Sequence, residues 1–157
     1  MSETVLIVGA GATAGVGGAL ARKFSEAGYH VIAVGRTPEK LEPLVSEIRE
    51  KGGSAGSVVA DVTSEVDQEQ MMAAVRARKE PLAAAIYNAG SNFPIKFSDV
   101  TPEQFEEFWR IGCFGAFLTA RQTLPLFSEQ GKGSLFFTGA SASLRGRPNF
   151  AHFSAVV

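Results

Sequence analysis

Short, almost uninterrupted apolar runs alternate along the chain with longer stretches in which apolar residues recur every three or four positions. The runs are VLIVG at 5–9, HVIAVG at 30–35, GSVVAD at 56–61, LAAAIY at 82–87 and SLFFTG at 134–139. Their length is that of strands, and their continuous apolar character predicts strands covered on both faces. The stretches between them predict helices. Val16, Leu20 and Phe24 are expected to form the buried stripe of the first. Thr37 is placed to cap the second, Pro38 suits its first position, Leu41, Leu44, Val45 and Ile48 form its apolar face, and Gly52 ends it. Ser64 with Asp67 starts a third. Thr101, Pro102, Glu103 and Gln104 spell a capping box ahead of Phe105, Phe108 and Trp109, in a helix expected to run to about residue 129. Strands and helices in alternation predict an α/β fold built of βαβ units on a parallel sheet of about five strands, with helices on both faces.

Composition narrows the function classes. A chain of 157 residues, 45% hydrophobic and 20% charged, with no internal repeat or low-complexity stretch, is expected to form one globular domain over residues 1–157. With Lys+Arg 15 against Asp+Glu 16 and no basic run, the electrostatic footprint of a nucleic-acid binder is absent. Cys113 is the sole cysteine, which rules out a disulfide framework or a zinc quartet and fits a reducing compartment. The start, MSETVLIVGAGA, has no basic segment and only a brief apolar run broken by glycine, so neither a signal peptide nor a membrane span is expected there, and the location expected is cytoplasmic.

Candidate chemistry begins at the turn after the first run, GAGATAGVGGAL at 9–20. Gly9, Gly11 and Ala14 meet the dinucleotide fingerprint, while Gly11, Gly15 and Gly17 meet a second, wider spacing. Such a turn lets a pyrophosphate touch bare backbone and aims the free N–H groups of a helix start at its charge. A glycine-rich packing turn would explain one or two of these glycines rather than the set.

The wider spacing, Ala10-Gly11-Ala12-Thr13-Ala14-Gly15-Val16-Gly17, is similar to the T-G-x-x-x-G-x-G turn of the short-chain dehydrogenase/reductases, with its leading threonine lost. Asp61-Val62 after the third run and Tyr87-Asn88-Ala89-Gly90, in place of N-N-A-G, follow in that family's order. The resemblance implies a Rossmann-type, three-layer doubly wound sheet and an NAD(P)-dependent oxidoreductase acting on a carbonyl or alcohol. It implies cofactor contacts from Gly11, Thr13, Ala14, Gly15, Val16 and Gly17, from Asp61 at the adenine, from Val62, and from Asn88, Ala89 and Gly90 along the cofactor. Read without it, Asp61 can be a strand-end cap and Asn88-Ala89-Gly90 a plain loop.

Charge bears on which cofactor. An acid after the second strand would bind the ribose hydroxyls of NAD, but the chain reads Val34-Gly35-Arg36-Thr37. Arg36 offers a planar cation for the extra phosphate of NADP or for stacking on adenine, with Lys40 available to share the anion, so NADP(H) is expected over NAD(H). The alternative is a solvated surface arginine at a helix start.

The family resemblance also implies a tyrosine, a lysine four residues on, a serine and an asparagine as catalytic groups. Those positions hold Phe153, Val157, Ala140 and Gly112. Phenylalanine cannot move a proton, and valine cannot shift a neighbour's pKa by charge. Ser141, one position from the expected serine, and His152, beside Phe153, are the substitute candidates; His152 requires a shifted register and otherwise reads as a surface histidine. Tyr87 reads as a strand-end packing residue. Phe93, Phe97, Phe105, Phe108, Trp109, Phe114 and Phe117 are expected to pack in the core, with an apolar substrate pocket or a subunit interface as alternatives.

The expected function is thus a short-chain-type, NADP(H)-binding oxidoreductase with a degraded catalytic site and a small-molecule carbonyl or alcohol substrate. The alternatives are an inactive NADP(H)-binding sensor or partner subunit, a fragment that associates with an intact homologue, and, for assembly, a homo-oligomer. The resemblance covers roughly the first two thirds of a usual member, so an incomplete chain is expected, with SLFFTG as an unpaired apolar edge and a short helix near Asn149.

Overall fold

A computed structural model describes residues 3–11 and 14–157. Five strands, β1 (Thr4–Val8), β2 (His30–Gly35), β3 (Ser54–Val59), β4 (Leu82–Tyr87) and β5 (Ser134–Phe137), form one sheet in the order β3-β2-β1-β4-β5. Every pairing is parallel, as crossover helices require. The helices are α1 (Val16–Glu26), α2 (Pro38–Glu50), α3 (Glu65–Ala77), α4 (Pro102–Trp109), α5 (Gly115–Gln130) and α6 (Ala151–Ser154). Strand order runs outward from β1 to β3 and then resumes on the other side of β1 with β4, so the sheet reverses between β1 and β4. At such a reversal the chain diverges to both faces and leaves a crevice at the carboxyl ends of the strands.

The pleat of β1 divides the core. Val5 and Ile7 pack with Ala21, Leu41, Leu44, Val45 and Ile48 under α1 and α2. Leu6 and Val8 pack on the other face with Met71, Met72, Val75 and Phe127 from α3 and α5. Two-faced burial holds for β1, β2 and β4 but not for the outer strands, where half of β3 and most of β5 are exposed. The reason is position: an edge strand has one neighbour and only partial helix cover, and Phe136 and Phe137 are each more than half exposed there.

Three local expectations change. The buried stripe of α1 is Gly17, Gly18, Ala21 and Ser25, while Val16 is 59% exposed and Leu20 and Phe24 flank the core. Small residues face the sheet because α1 comes so close that a Cβ on Gly17 would run into the carbonyl of Gly9. Thr37 caps α2 by position, without a side-chain bond, although Pro38 opens the helix and Gly52, at φ 83°, follows its end. The long helix expected after residue 101 starts on a full capping box, with Gln104 N–H donating to Thr101 Oγ1 at 3.2 Å and Thr101 N–H to Gln104 Oε1 at 3.0 Å. It then passes through a π-helical turn, Arg110–Phe114, before α5. Ser64 caps α3 as expected, accepting from the Asp67 N–H.

Among the seven aromatics expected in the core, Phe108 is buried; Phe93, Phe97, Phe105, Trp109 and Phe117 are exposed. The inner face of α4 is taken by Phe108 and that of α5 by Gly115, Leu118, Thr119, Thr123 and Phe127, which leaves Phe105, Trp109 and Phe117 on the outer side. Trp109 stacks on Phe114 and Phe114 on Phe117 along that surface. Among the described residues no helix is long and apolar enough to cross a membrane.

Candidate functional site

The crevice at the sheet reversal is a cleft of about 350 Å³. Its floor is the turn from β1 into α1. Gly9 adopts φ 93°, its N–H and that of Ala10 both donate to the Val34 carbonyl at 2.9 Å, and a Cβ there would be driven into the backbone of Ala89. Gly9 and Gly17 are therefore glycine because backbones cross. Gly11 differs: beyond its chain neighbours, a Cβ on it would meet no atom of the described residues within 4 Å, so its bareness leaves room on the cleft side. Gly15 sits at the start of α1 with no side-chain cap and no acid in the first turn, so the helix offers its free N–H groups and positive end to the cleft. Gly15, Val16 and Gly17 line that end, and Ala14 is exposed beside it. Thr13 lies outside the described residues.

The cleft's walls collect the other candidates. Arg36, Thr37 and Lys40 line it beyond β2, Asp61 and Val62 beyond β3, and Asn88, Ala89 and Gly90 beyond β4. Arg36 and Lys40 are exposed cations, and Asp61 is the acidic side chain among the lining residues. Asp61 Oδ1 accepts from both the N–H and the hydroxyl of Thr63 at 2.8 Å. The Thr63 backbone bond, with its hydroxyl and the charges of Arg36 and Arg110 in support, holds the Asp61 carboxyl below its ordinary value against the opposing effect of burial. Asn88 ties the crossing point together: its N–H donates to the Val8 carbonyl at 2.7 Å and its Nδ2 to the Gly9 carbonyl at 3.1 Å.

A second cavity, of about 220 Å³, adjoins the first and shares Ala89, Gly90 and Ser91 with it as a common wall. Phe108, Phe137, Phe153, Val156 and Val157 make it largely apolar. The structure brings Gly112, Phe153 and Val157 together here, whereas Ala140 is not among the lining residues. Neither substitute candidate reaches it. Ser141 is exposed on a 3-10 turn, Ser141–Ser143, where its carbonyl accepts from Leu144 and Arg145. His152 is 1% exposed, packed against Phe108 with ring centroids 4.4 Å apart, and its Nε2 bonds the Phe93 carbonyl at 3.0 Å. It is thus a buried residue rather than the surface histidine its place in the sequence implies, because α6 folds back under the segment after β4. Tyr87 packs as expected for a strand end, with its hydroxyl donating to the Ile111 carbonyl. Burial pushes that hydroxyl above its ordinary value, so it stays protonated at neutral pH.

Sequence reasoning did not find Ser91, Phe137, Thr138 or Val156 in this cavity. A usable signal exists for two of them: Ser91 follows directly on Asn88-Ala89-Gly90, and Thr138 follows directly on the last apolar run.

Residues 3–156 match the family model described as short chain dehydrogenase. The chain is 31% identical over 153 residues to Oxidoreductase asL5 of Sarocladium schorii, covering 98% of this chain and 59% of that protein. It is 27% identical over 145 residues to 2,3-dihydro-2,3-dihydroxybenzoate dehydrogenase of Bacillus subtilis, covering 92% of this chain and 56% of that protein. The chain therefore spans a little over half the length of these curated relatives. Among solved structures, a short-chain dehydrogenase from Rhodopseudomonas palustris superposes with a TM-score of 0.89 at 36% identity, over 98% of this chain and 71% of that one. The actinorhodin polyketide ketoreductase solved with NADPH gives 0.92 at 28% identity, over 99% of this chain and 59% of that one.

Proposed function

From the premise that the chain belongs to the short-chain dehydrogenase family, we propose that it is an NADP(H)-binding oxidoreductase for a small carbonyl or alcohol, with its usual proton-transfer groups lost. The family binds NAD(P) cofactors. The observation that carries the NADP(H) reading is the pair of exposed cations, Arg36 and Lys40, that line the cleft just after β2, where an acid would favour NAD. The donor set fits such a nucleotide: bare backbone at Gly11, an uncapped helix start at Gly15–Gly17, and cations for an added phosphate. Asp61 and Val62 would meet the adenine, and Asn88, Ala89 and Gly90 would border the rest.

Once bound, a nicotinamide dinucleotide supplies the hydride donor or acceptor. What this chain contributes is an apolar neighbouring cavity and little proton chemistry. The side chains of Phe153 and Val157 bring neither a transferable proton nor a charge to that cavity. The Tyr87 hydroxyl is committed to the Ile111 carbonyl. In this reading the proton of a reduction comes from water, and turnover is expected to be slow. The same feature favours a second reading, binding of NADP(H) without turnover.

Titration of the 157-residue protein with NADPH and NADH, followed by nucleotide fluorescence, tests the cofactor. NADPH should bind the more tightly, and Arg36→Ala should weaken NADPH by about 10-fold or more while leaving NADH nearly unchanged, given roughly 1.5–3 kcal/mol for bonds to charged groups. Equal binding of both nucleotides, or of neither, overturns the reading. Reduction of aldehydes and ketones with NADPH then separates slow turnover from none, and Ser141→Ala should leave any activity intact.

A further inference from the structure

The cavity beside the cleft has a composition that specifies its ligand more closely than the fold does. No side chain among the described residues lining it is charged at neutral pH, and its walls are the rings of Phe108, Phe137 and Phe153 with Val156 and Val157. Its volume, about 220 Å³, is below the range of roughly 300–1,000 Å³ usual for drug-sized ligands. A dry apolar cavity of about 150 Å³ takes one benzene molecule, so this one has room for a ring and a short substituent. No cationic side chain among the described residues lines it, so an anion would find no partner there.

Hydroxyl groups enter the lining at three residues, Tyr87, Ser91 and Thr138. The Tyr87 hydroxyl already donates to the Ile111 carbonyl. Those of Ser91 and Thr138 make no hydrogen bond to another described residue, so both remain able to donate to a ligand oxygen. Adjacent strands deliver them. β4 and β5 pair with Tyr87 opposite Phe137, and the Thr138 N–H donates to the Tyr87 carbonyl at 2.8 Å, which fixes Thr138 beside the segment that leads to Ser91. Ser91 also lines the larger cleft, so an oxygen held near it lies where the two spaces meet.

We infer that this cavity takes a compact, uncharged molecule of about one ring, whose single carbonyl or hydroxyl oxygen is held by the Ser91 and Thr138 hydroxyls. The inference rests on the adjoining cleft being the nucleotide site, which makes that oxygen the reacting one. Ser91 and Thr138 are specificity-determining residues in this scheme, selecting an oxygen-bearing ligand over a hydrocarbon of the same size.

Ligand-observed NMR on the 157-residue chain, with and without saturating NADPH, tests it with three probes: acetophenone, ethylbenzene and benzoate. Acetophenone should bind about 5- to 10-fold more tightly than ethylbenzene, as expected for one or two net hydrogen bonds, and benzoate should not compete. Ser91→Ala with Thr138→Val should abolish the advantage of acetophenone and leave ethylbenzene where it was, while Thr138→Ser should retain it. Thermal melts of each variant confirm that it is folded, and ethylbenzene binding serves as the internal check on the cavity. Benzoate binding as tightly as acetophenone, or an advantage that survives the double variant, overturns the assignment. NADPH binding without acetophenone binding overturns it too and leaves the nucleotide reading intact. Acetophenone binding without NADPH binding supports the ligand class and overturns the nucleotide reading.

Discussion

Gly112 and Val156 are in backbone contact: a Cβ on Gly112 would stand 2.5 Å from the Val156 carbonyl oxygen and 3.0 Å from the Val156 Cβ. The position where the resembled family carries an asparagine is thus filled from outside by the turn after α6. Gly112→Asn should destabilise the protein by about 1–3 kcal/mol through overpacking and should not raise turnover, as read from the urea midpoint and an NADPH oxidation assay.

Gly11 and Gly17 predict opposite outcomes for one substitution. At Gly11 an added methyl meets no atom of the described residues beyond its chain neighbours, so Gly11→Ala should keep the melting temperature and weaken nucleotide binding about 10-fold or more by filling the cradle. At Gly17 the methyl enters the Gly9 carbonyl, so Gly17→Ala should lower stability even though alanine gains about 1 kcal/mol of helix propensity over glycine. Calorimetry and fluorescence titration on both variants distinguish a packing glycine from a ligand-facing one.

Most of the fold was legible because its signals are local. Capping at Thr101 and Ser64, the apolar face of α2 and the strand runs depend on neighbours within a few residues. The glycine turn, Asp61 and Asn88-Ala89-Gly90 were legible as a set because the order of βαβ units carries each to the same edge of the sheet. What stayed hidden depends on distant partners. The exposure of β3 and β5 follows from their place at the edges, the outward aromatics from what α4 and α5 already present inward, and the burial of His152 from the return of α6. The π-helical turn has no period of its own to read.

Tyr87→Phe removes the donor to the Ile111 carbonyl and should cost about 1–2 kcal/mol at neutral pH. The wild-type hydroxyl, raised by burial and by the Asp61 and Cys113 charges, holds its proton in the folded chain above the value of 10.0 it has when unfolded. Its contribution is therefore complete below about pH 10 and is lost as the pH climbs beyond that. Denaturation midpoints between pH 8 and 11 should fall less steeply for Tyr87→Phe than for the wild type.

His152 holds α6 to the segment after β4 through the Phe93 carbonyl, and the Ile95 N–H donates to the Asn149 carbonyl at 2.9 Å beside it. A helix of four residues has no stability of its own, so these contacts keep it in place. His152→Ala should release the region locally: hydrogen exchange at Ile95 should speed up about 10-fold or more while the amides of β1 keep their protection.

Ala89, Gly90 and Ser91 form one wall between two spaces, and that has a consequence for how ligands act on each other. Whatever factor the occupant of one space imposes on affinity in the other must be returned in equal measure, since the two orders of filling reach the same doubly bound state. A three-residue partition therefore makes any cooperativity between cleft and cavity a property of the pair.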